Sequence, residues 1–114
     1  MDFATGLERC RGAKDRFKRL LGFYLGDLEG WLVMIEGYRK GEPPDLKNAT
    51  ISFHAMKSAS ATVGATGLSG EAAKLEKAGR EEDAAYLEGN ALRCGQILEA
   101  VRWRIENFIN DGAE

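Results

Sequence analysis

The chain has 114 residues, which is enough for one domain with a single core. Hydrophobic residues make up 44% of it, which excludes global disorder, and 16 basic against 18 acidic residues argue against a nucleic-acid-binding protein. No apolar run approaches the roughly 18 residues of a membrane span, and the N-terminus lacks the pattern of a secretion signal. We therefore expect one cytoplasmic domain over residues 1–114, with no nucleic-acid partner and no insertion into a membrane.

The first long helical pattern runs from Ala13 to about Arg39. Its apolar residues recur at the spacing of one helix face, and the sequence Gly41-Glu42-Pro43-Pro44 ends it. Before it, residues 2–10 predict a short helix that is broken at Gly12. The longer segment thus predicts a bundle helix, preceded by a short N-terminal one.

Three further helices follow the prolines. Asp45 is a good N-cap for a helix that ends near Gly64, residues 66 to about 81 predict the next, and Asp83 can cap the last. The last helix keeps a heptad stripe throughout, formed by Leu87, Ala91, Cys94, Leu98, Val101, Ile105 and Phe108. No alternating β-branched run predicts a strand. The expected fold is all-α: an antiparallel up-and-down four-helix bundle with a short extra N-terminal helix.

Several residues have an ordinary packing interpretation. We expect Trp31 and Trp103 to be packing residues, and Cys10 and Cys94 to be small reduced core residues, with a single disulfide as the alternative.

A row of three glycines, Gly22, Gly26 and Gly30, lies within the first long helix. Each costs roughly 1 kcal/mol relative to alanine at a solvated helical position. Two interpretations stay open for this row. In the first, the glycines allow a neighbouring helix to approach closely, or they are sequence drift that a stable bundle tolerates. In the second, they form a flat strip on which a partner docks.

His54 is the single histidine of the chain. On its helix it points away from the apolar face, so we expect it to be exposed. Lys57 and Ser58, at i+3 and i+4, lean back over it. Lys57 places an ammonium where it could neutralise an anion on the ring, and the small Ser58 keeps the approach open. The same outer face holds a candidate docking surface for a partner, made of Thr50, Ile51 and Ala61.

This arrangement favours an exposed nucleophile over a hydrolytic enzyme. Hydrolysis by nucleophilic catalysis requires an activated serine or cysteine, an orienting carboxylate and an oxyanion hole. The sequence predicts no carboxylate on the outer face near His54. A neutral imidazole that accepts a phosphoryl group and passes it on fits the cation and the open approach better.

The segment from His54 to Ala65 resembles the signature of histidine-containing phosphotransfer (HPt) domains. That signature has a histidine, an apolar residue two positions later, Lys57 at +3, a run of small residues, and Gly-Ala about ten residues after the histidine. Leu68, Leu75-Glu76 and Arg80 resemble its continuation, and the likeness extends over about residues 3–110. Phe53 departs from the pattern, since it is bulkier than the small residue common before the histidine.

The resemblance implies a phosphorelay intermediate with the family's four-helix bundle. His54 would accept a phosphoryl group on Nε2 from the phospho-aspartate of a receiver domain and pass it to another response-regulator receiver. The chain would be a carrier without catalytic activity of its own and without a cofactor or metal, because the Mg²⁺ belongs to the receiver. The expected partners are response-regulator receivers and a hybrid sensor kinase, and the expected state is a monomer.

Two alternatives stay open at this point. A helical interaction module could bind a receiver without carrying phosphate, although such a module has little reason to keep both His54 and Lys57. The chain could also be a stand-alone carrier or one domain of a hybrid sensor kinase at the cytoplasmic side of a membrane. The partner receivers, the signal and the output cannot be read from the sequence.

Overall fold

In the computed structural model, residues 2–111 are described, and they form five α-helices and no strand. The helices are α1 Phe3–Arg9, α2 Lys14–Arg39, α3 Leu46–Thr62, α4 Thr66–Arg80 and α5 Ala84–Asp111. Each of the four longer helices packs on the next, and α5 returns to pack on α2, which closes the bundle. The all-α bundle with a short extra N-terminal helix is confirmed.

Local sequence sets the ends of the helices. The Asp45 side chain accepts a hydrogen bond from the Asn48 amide at 3.1 Å, and Asp83 accepts one from the Tyr86 amide at 3.0 Å. Both aspartates therefore cap helices as predicted. Gly64 ends the turn after α3 at φ +87°, in the left-handed region that favours glycine.

Helix α1 covers one end of the bundle. The Phe3 ring stacks on Phe108 with a centroid separation of 4.6 Å, and Phe108 meets Phe17 edge-on at 5.5 Å. The Asp2 amide donates a hydrogen bond of 2.7 Å to the Gly64 carbonyl oxygen. These contacts hold the short helix against the turn between α3 and α4.

The apolar core includes a polar link between α2 and α3 and two thiols. Tyr24 on α2 and Ser60 on α3 share a buried hydrogen bond of 2.8 Å between their hydroxyls. Cys10 and Cys94 are both free and buried, as predicted. Burial raises the pKa of the Cys94 thiol to about 12, so this cysteine is an inert filler.

The structure excludes one interpretation of the glycine row and corrects one packing expectation. A Cβ added at Gly22, Gly26 or Gly30 would have no neighbour within 4 Å, so no helix approaches this row closely. Trp31 is buried as expected, but Trp103 is 67% exposed on the outer side of α5. Over the described residues, no helix combines the length and the apolar character needed to span a membrane.

Candidate functional site

His54 lies in the middle of α3, and its side chain is 62% exposed. Its neighbours Phe53 and Met56 are fully buried, because they lie on the opposite face of the helix and fill the core. The amphipathic pattern of α3 thus directs the imidazole outward, as the sequence predicts. The ring stands at the edge of α3 that borders α4.

A buried carboxylate from α4 meets the His54 ring. Glu76 is only 4% exposed, and its Oε2 lies 2.8 Å from Nδ1 of His54. Its Oε1 accepts a hydrogen bond of 2.6 Å from Nζ of Lys57. One carboxylate on α4 therefore joins the two side chains that the α3 sequence singles out.

The charge state of Glu76 follows from these contacts. The hydrogen bond from the Lys57 ammonium is the largest cause that lowers the pKa of Glu76. Burial opposes this effect, and the hydrogen bond from His54 adds to it. Glu76 is therefore ionised at neutral pH, and as an ionised carboxylate it can only accept hydrogen bonds.

This contact distinguishes the two nitrogens of the imidazole. Since Glu76 accepts, Nδ1 of His54 carries the proton, and in the neutral ring Nε2 then keeps a lone pair. Nε2 has no hydrogen-bond partner among residues 2–111. A carboxylate on one nitrogen fixes the ring orientation and the tautomer, as it does for catalytic and metal-binding histidines. The arrangement can present a nucleophilic nitrogen to a partner.

A hydroxyl on α4 also links the two helices near the site. Oγ of Ser69 donates a hydrogen bond of 2.8 Å to the main-chain carbonyl oxygen of Lys57. The backbone of α3 close to His54 is thus tied to the helix that supplies Glu76.

The structure places most of the predicted site residues near the exposed side of α3. Ser58 is exposed, and Ile51 is 61% exposed. The Lys57 side chain is 34% exposed, and its ammonium contacts Glu76. Ala61 is partly buried.

Thr50 departs furthest from its expected place on the outer face. It is half-buried against Gly79 of α4, and its hydroxyl donates a hydrogen bond of 2.7 Å to the Leu46 carbonyl oxygen. The outward direction estimated from helix geometry alone does not account for how closely α4 approaches on that side. Thr50 is therefore a residue of the α3–α4 contact.

Glu76 is the site residue that the sequence analysis did not place. The prediction of no carboxylate near His54 concerned the outer face of its own helix, and the carboxylate that meets the ring comes instead from α4. A signal is present, however: Glu76 follows Ala72 by one turn and Leu68 by two, so a charged residue occupies the inward stripe of α4. Such a residue needs a buried partner. Within the described part of the chain, no group of three or more histidine, cysteine or acidic residues could hold a metal ion.

Comparison with known protein families gives a match over most of the chain. The model of the Hpt domain family matches residues 14–108, which covers α2 to α4 and nearly all of α5. Neither the curated proteins nor the solved structures contain a significant match to the chain. The family match spans most of the chain and includes His54, Lys57 and Glu76. The chain therefore belongs to the Hpt domain family, whose members take part in histidine phosphotransfer in two-component phosphorelays.

Proposed function

We propose that His54 is the phosphoryl acceptor of this chain, and that it receives the group on Nε2 from the phospho-aspartate of one receiver domain and passes it to another. The observation that carries the proposal is the exposed ring whose Nδ1 is held by the buried Glu76 carboxylate at 2.8 Å. This contact leaves Nε2 as the nitrogen available for attack.

The transfer step follows from that geometry. The Nε2 lone pair forms a bond to phosphorus while the bond from phosphorus to the aspartyl oxygen breaks, and the aspartate leaves as a carboxylate. The ring gains a positive charge in this step. Glu76 stabilises that charge through Nδ1–H. Transfer onward to a second receiver reverses the step at a new aspartate.

Lys57 and Ser58 support the step in different ways. The Lys57 ammonium compensates the charge of Glu76 and adds positive charge close to the incoming phosphoryl group. Ser58 lies one turn after His54, and its small side chain leaves the approach to the ring open for in-line attack.

The receiver domain supplies the groups that carry out the chemistry of transfer. The receiver brings the phospho-aspartate and the Mg²⁺, so the chain acts as a carrier with no catalytic activity and no cofactor of its own. The exposed Ile51 offers an apolar contact one turn before His54, with Ala61 further along the helix. We expect the chain to act as one domain and as a monomer in the cytoplasm.

The direct test is incubation of the chain with a receiver that carries labelled phosphate. Wild-type chain should take up label that is labile in acid and stable in alkali, as phosphohistidine is. His54→Gln should keep the helical circular dichroism of the wild type, because the ring is exposed, and should take up none. Label on a folded His54→Gln would contradict the proposal, since the chain has no second histidine.

The same experiment separates this function from a phosphate-free interaction module. Receiver binding is measured in parallel by calorimetry. Binding without any label on the wild type would identify such a module, and label that disappears with His54 would identify the carrier.

A further inference from the structure

We infer that Gly79 is a positioning residue for the phosphotransfer site: it lets the backbones of α3 and α4 approach closely enough for Glu76 to reach both His54 and Lys57. The inference rests on the proposed function, because it explains what holds the His54 ring ready for transfer. Gly79 itself touches neither the ring nor the phosphoryl group.

The closest approach of α3 and α4 at Gly79 leaves no room for a side chain. A Cβ at Gly79 would lie 3.2 Å from both Cα and the amide nitrogen of Thr50, and it would overlap the Thr50 hydroxyl. Carbon atoms pack favourably at roughly 3.5–4.0 Å. Any residue other than glycine therefore has to push against the backbone of α3.

Movement of the Thr50 side chain would relieve only part of this contact. The hydroxyl is held by its hydrogen bond to the Leu46 carbonyl oxygen at 2.7 Å. If it rotated away, the backbone atoms of Thr50 would still lie too close to the new Cβ. The remaining response is a displacement of α4 relative to α3.

Such a displacement reaches the site directly. Glu76 lies three residues before Gly79, so the two share one side of α4. Its hydrogen bonds to His54 and Lys57 measure 2.8 and 2.6 Å. Since hydrogen bonds of this kind weaken beyond roughly 3.2 Å, a shift of about 0.5 Å is enough to loosen the contact with the ring.

Other glycines of the same helix provide a contrast. A Cβ at Gly67 or Gly70 would have no neighbour within 4 Å. The requirement for glycine is thus specific to Gly79, and Gly70→Ala is a matched control that makes the same chemical change on the same helix.

The test compares Gly79→Ala with Gly70→Ala in ¹⁵N NMR of the imidazole. His54 is the single histidine, so its ring nitrogens give one unambiguous set of signals. Wild type and Gly70→Ala should show the tautomer with the proton on Nδ1. Gly79→Ala should shift toward the proton on Nε2, and its rate of phosphoryl uptake should fall about 10-fold, as for other residues that orient a functional histidine.

A rescue variant distinguishes positioning from general damage. Thr50→Ala removes the hydroxyl that the new Cβ would overlap, so the double variant Gly79→Ala/Thr50→Ala should recover part of the Nδ1–H tautomer. If Gly79→Ala alone does not fold, the double variant replaces it, with Thr50→Ala as its reference.

Three results would overturn the inference. One is an unchanged tautomer in folded Gly79→Ala, or in the double variant where that replaces it. Another is an equal change in Gly70→Ala, and the third is a double variant no closer to wild type than Gly79→Ala. Label on His54→Gln would contradict the proposed function alone, because the NMR comparison does not depend on phosphoryl transfer.

Discussion

The α3–α4 pair and the α2–α5 pair hold their charged residues in different environments. Between α3 and α4, the buried Glu76 joins His54 and Lys57. Between α2 and α5, Arg102 bonds Glu29 at 2.8 Å and also contacts acids on its own helix, and all of those carboxylates are exposed. Water and salt screen the second set, so each of its pairs contributes roughly 0–1 kcal/mol.

The two pairs also use glycine differently. Gly79 lies at a contact where a Cβ would meet the α3 backbone, whereas Gly22, Gly26 and Gly30 on α2 lie in open space. On the α2–α5 side, the nearest atoms to a Cβ added at Gly95 belong to the Ile35 side chain, the first of them at 3.0 Å. The contact at Gly79 differs because an added Cβ there would meet the backbone of the neighbouring helix.

The largest effect on the rate of phosphoryl transfer is expected when a bulky side chain blocks the approach to His54. Ser58→Tyr puts a bulky ring beside the imidazole, and phosphoryl transfer should slow about 100-fold because in-line attack tolerates little displacement. Stability should change by less than about 1 kcal/mol, since Ser58 is exposed. Gln96→Tyr, at an exposed position on α5, is the control and should transfer at the wild-type rate. Equal rates for the two variants would mean that the receiver approaches from another side.

The next effect comes from removing the charge of Glu76. Glu76→Gln keeps the shape of the side chain but cannot stabilise the positive ring or compensate Lys57 as a carboxylate does. Phosphoryl uptake should slow about 10-fold or more. Glu29→Gln makes the same change in the exposed α2–α5 pair and should leave uptake unchanged. A similar loss in both variants would remove the distinction between the buried and exposed carboxylates.

Two exposed apolar residues extend the comparison to receiver binding. Ile51 is 61% exposed beside His54, and Trp103 is on α5. Ile51→Lys should weaken receiver binding by about 1–2 kcal/mol, the range of a useful interface residue. Trp103→Lys should bind as the wild type does. Calorimetric titration of the receiver measures both, and the opposite ranking would move the docking surface to the α2–α5 side.

Lowering the pH should reduce the stability that the α3–α4 contact gains from Glu76, because the carboxylate becomes protonated. Its pKa is lowered in the folded chain from the ordinary 4.5, chiefly by the Lys57 hydrogen bond. A lowered carboxyl pKa stabilises the folded state above the ordinary value, and this contribution is lost as the pH falls from about 4.5 through the lowered pKa. In urea titrations, the stability difference between wild type and Glu76→Gln should therefore shrink over that interval. If the stability difference between wild type and Glu76→Gln stayed constant with pH, the Glu76 carboxylate would not be the source of this stabilisation.

Much of the fold is predictable because local sequence determines it. The first long helix was expected from Ala13 to about Arg39 and is found at Lys14–Arg39. Asp45 and Asp83 cap the helices they precede, since a cap depends only on residues within one turn. The direction of His54 also follows from the apolar periodicity of α3 alone.

The parts that were missed depend on distances between helices. Glu76 lies 22 residues from His54, and its contact with the ring exists only because α3 and α4 pack closely. Thr50 was misplaced for the same reason, since its position on α3 does not reveal Gly79 opposite it. Trp103 was expected to pack, but the packed face of α5 is already filled by Cys94, Leu98 and Ile105.

The smallest effect is expected at the open glycines. Gly26 lies within α2 with no atom within 4 Å of an added Cβ, so alanine fits without strain. Gly26→Ala should raise the free energy of unfolding by about 0.4–1 kcal/mol, because alanine loses less backbone freedom on folding. Gly79→Ala should not stabilise the chain, because its Cβ meets Thr50. Urea unfolding compares the two directly, and equal gains would show that the α3–α4 contact tolerates a side chain.

Gly26→Ala also tests whether a partner docks on the glycine row of α2. If a partner docks on a flat strip at Gly22, Gly26 and Gly30, the added methyl group should weaken receiver binding even though it stabilises the helix. If the glycines are sequence drift that a stable bundle tolerates, Gly26→Ala should bind the receiver as the wild type does. We expect the second result, because Glu76 and Lys57 place the phosphotransfer site at α3 and α4, and Ile51 offers an exposed apolar contact beside it.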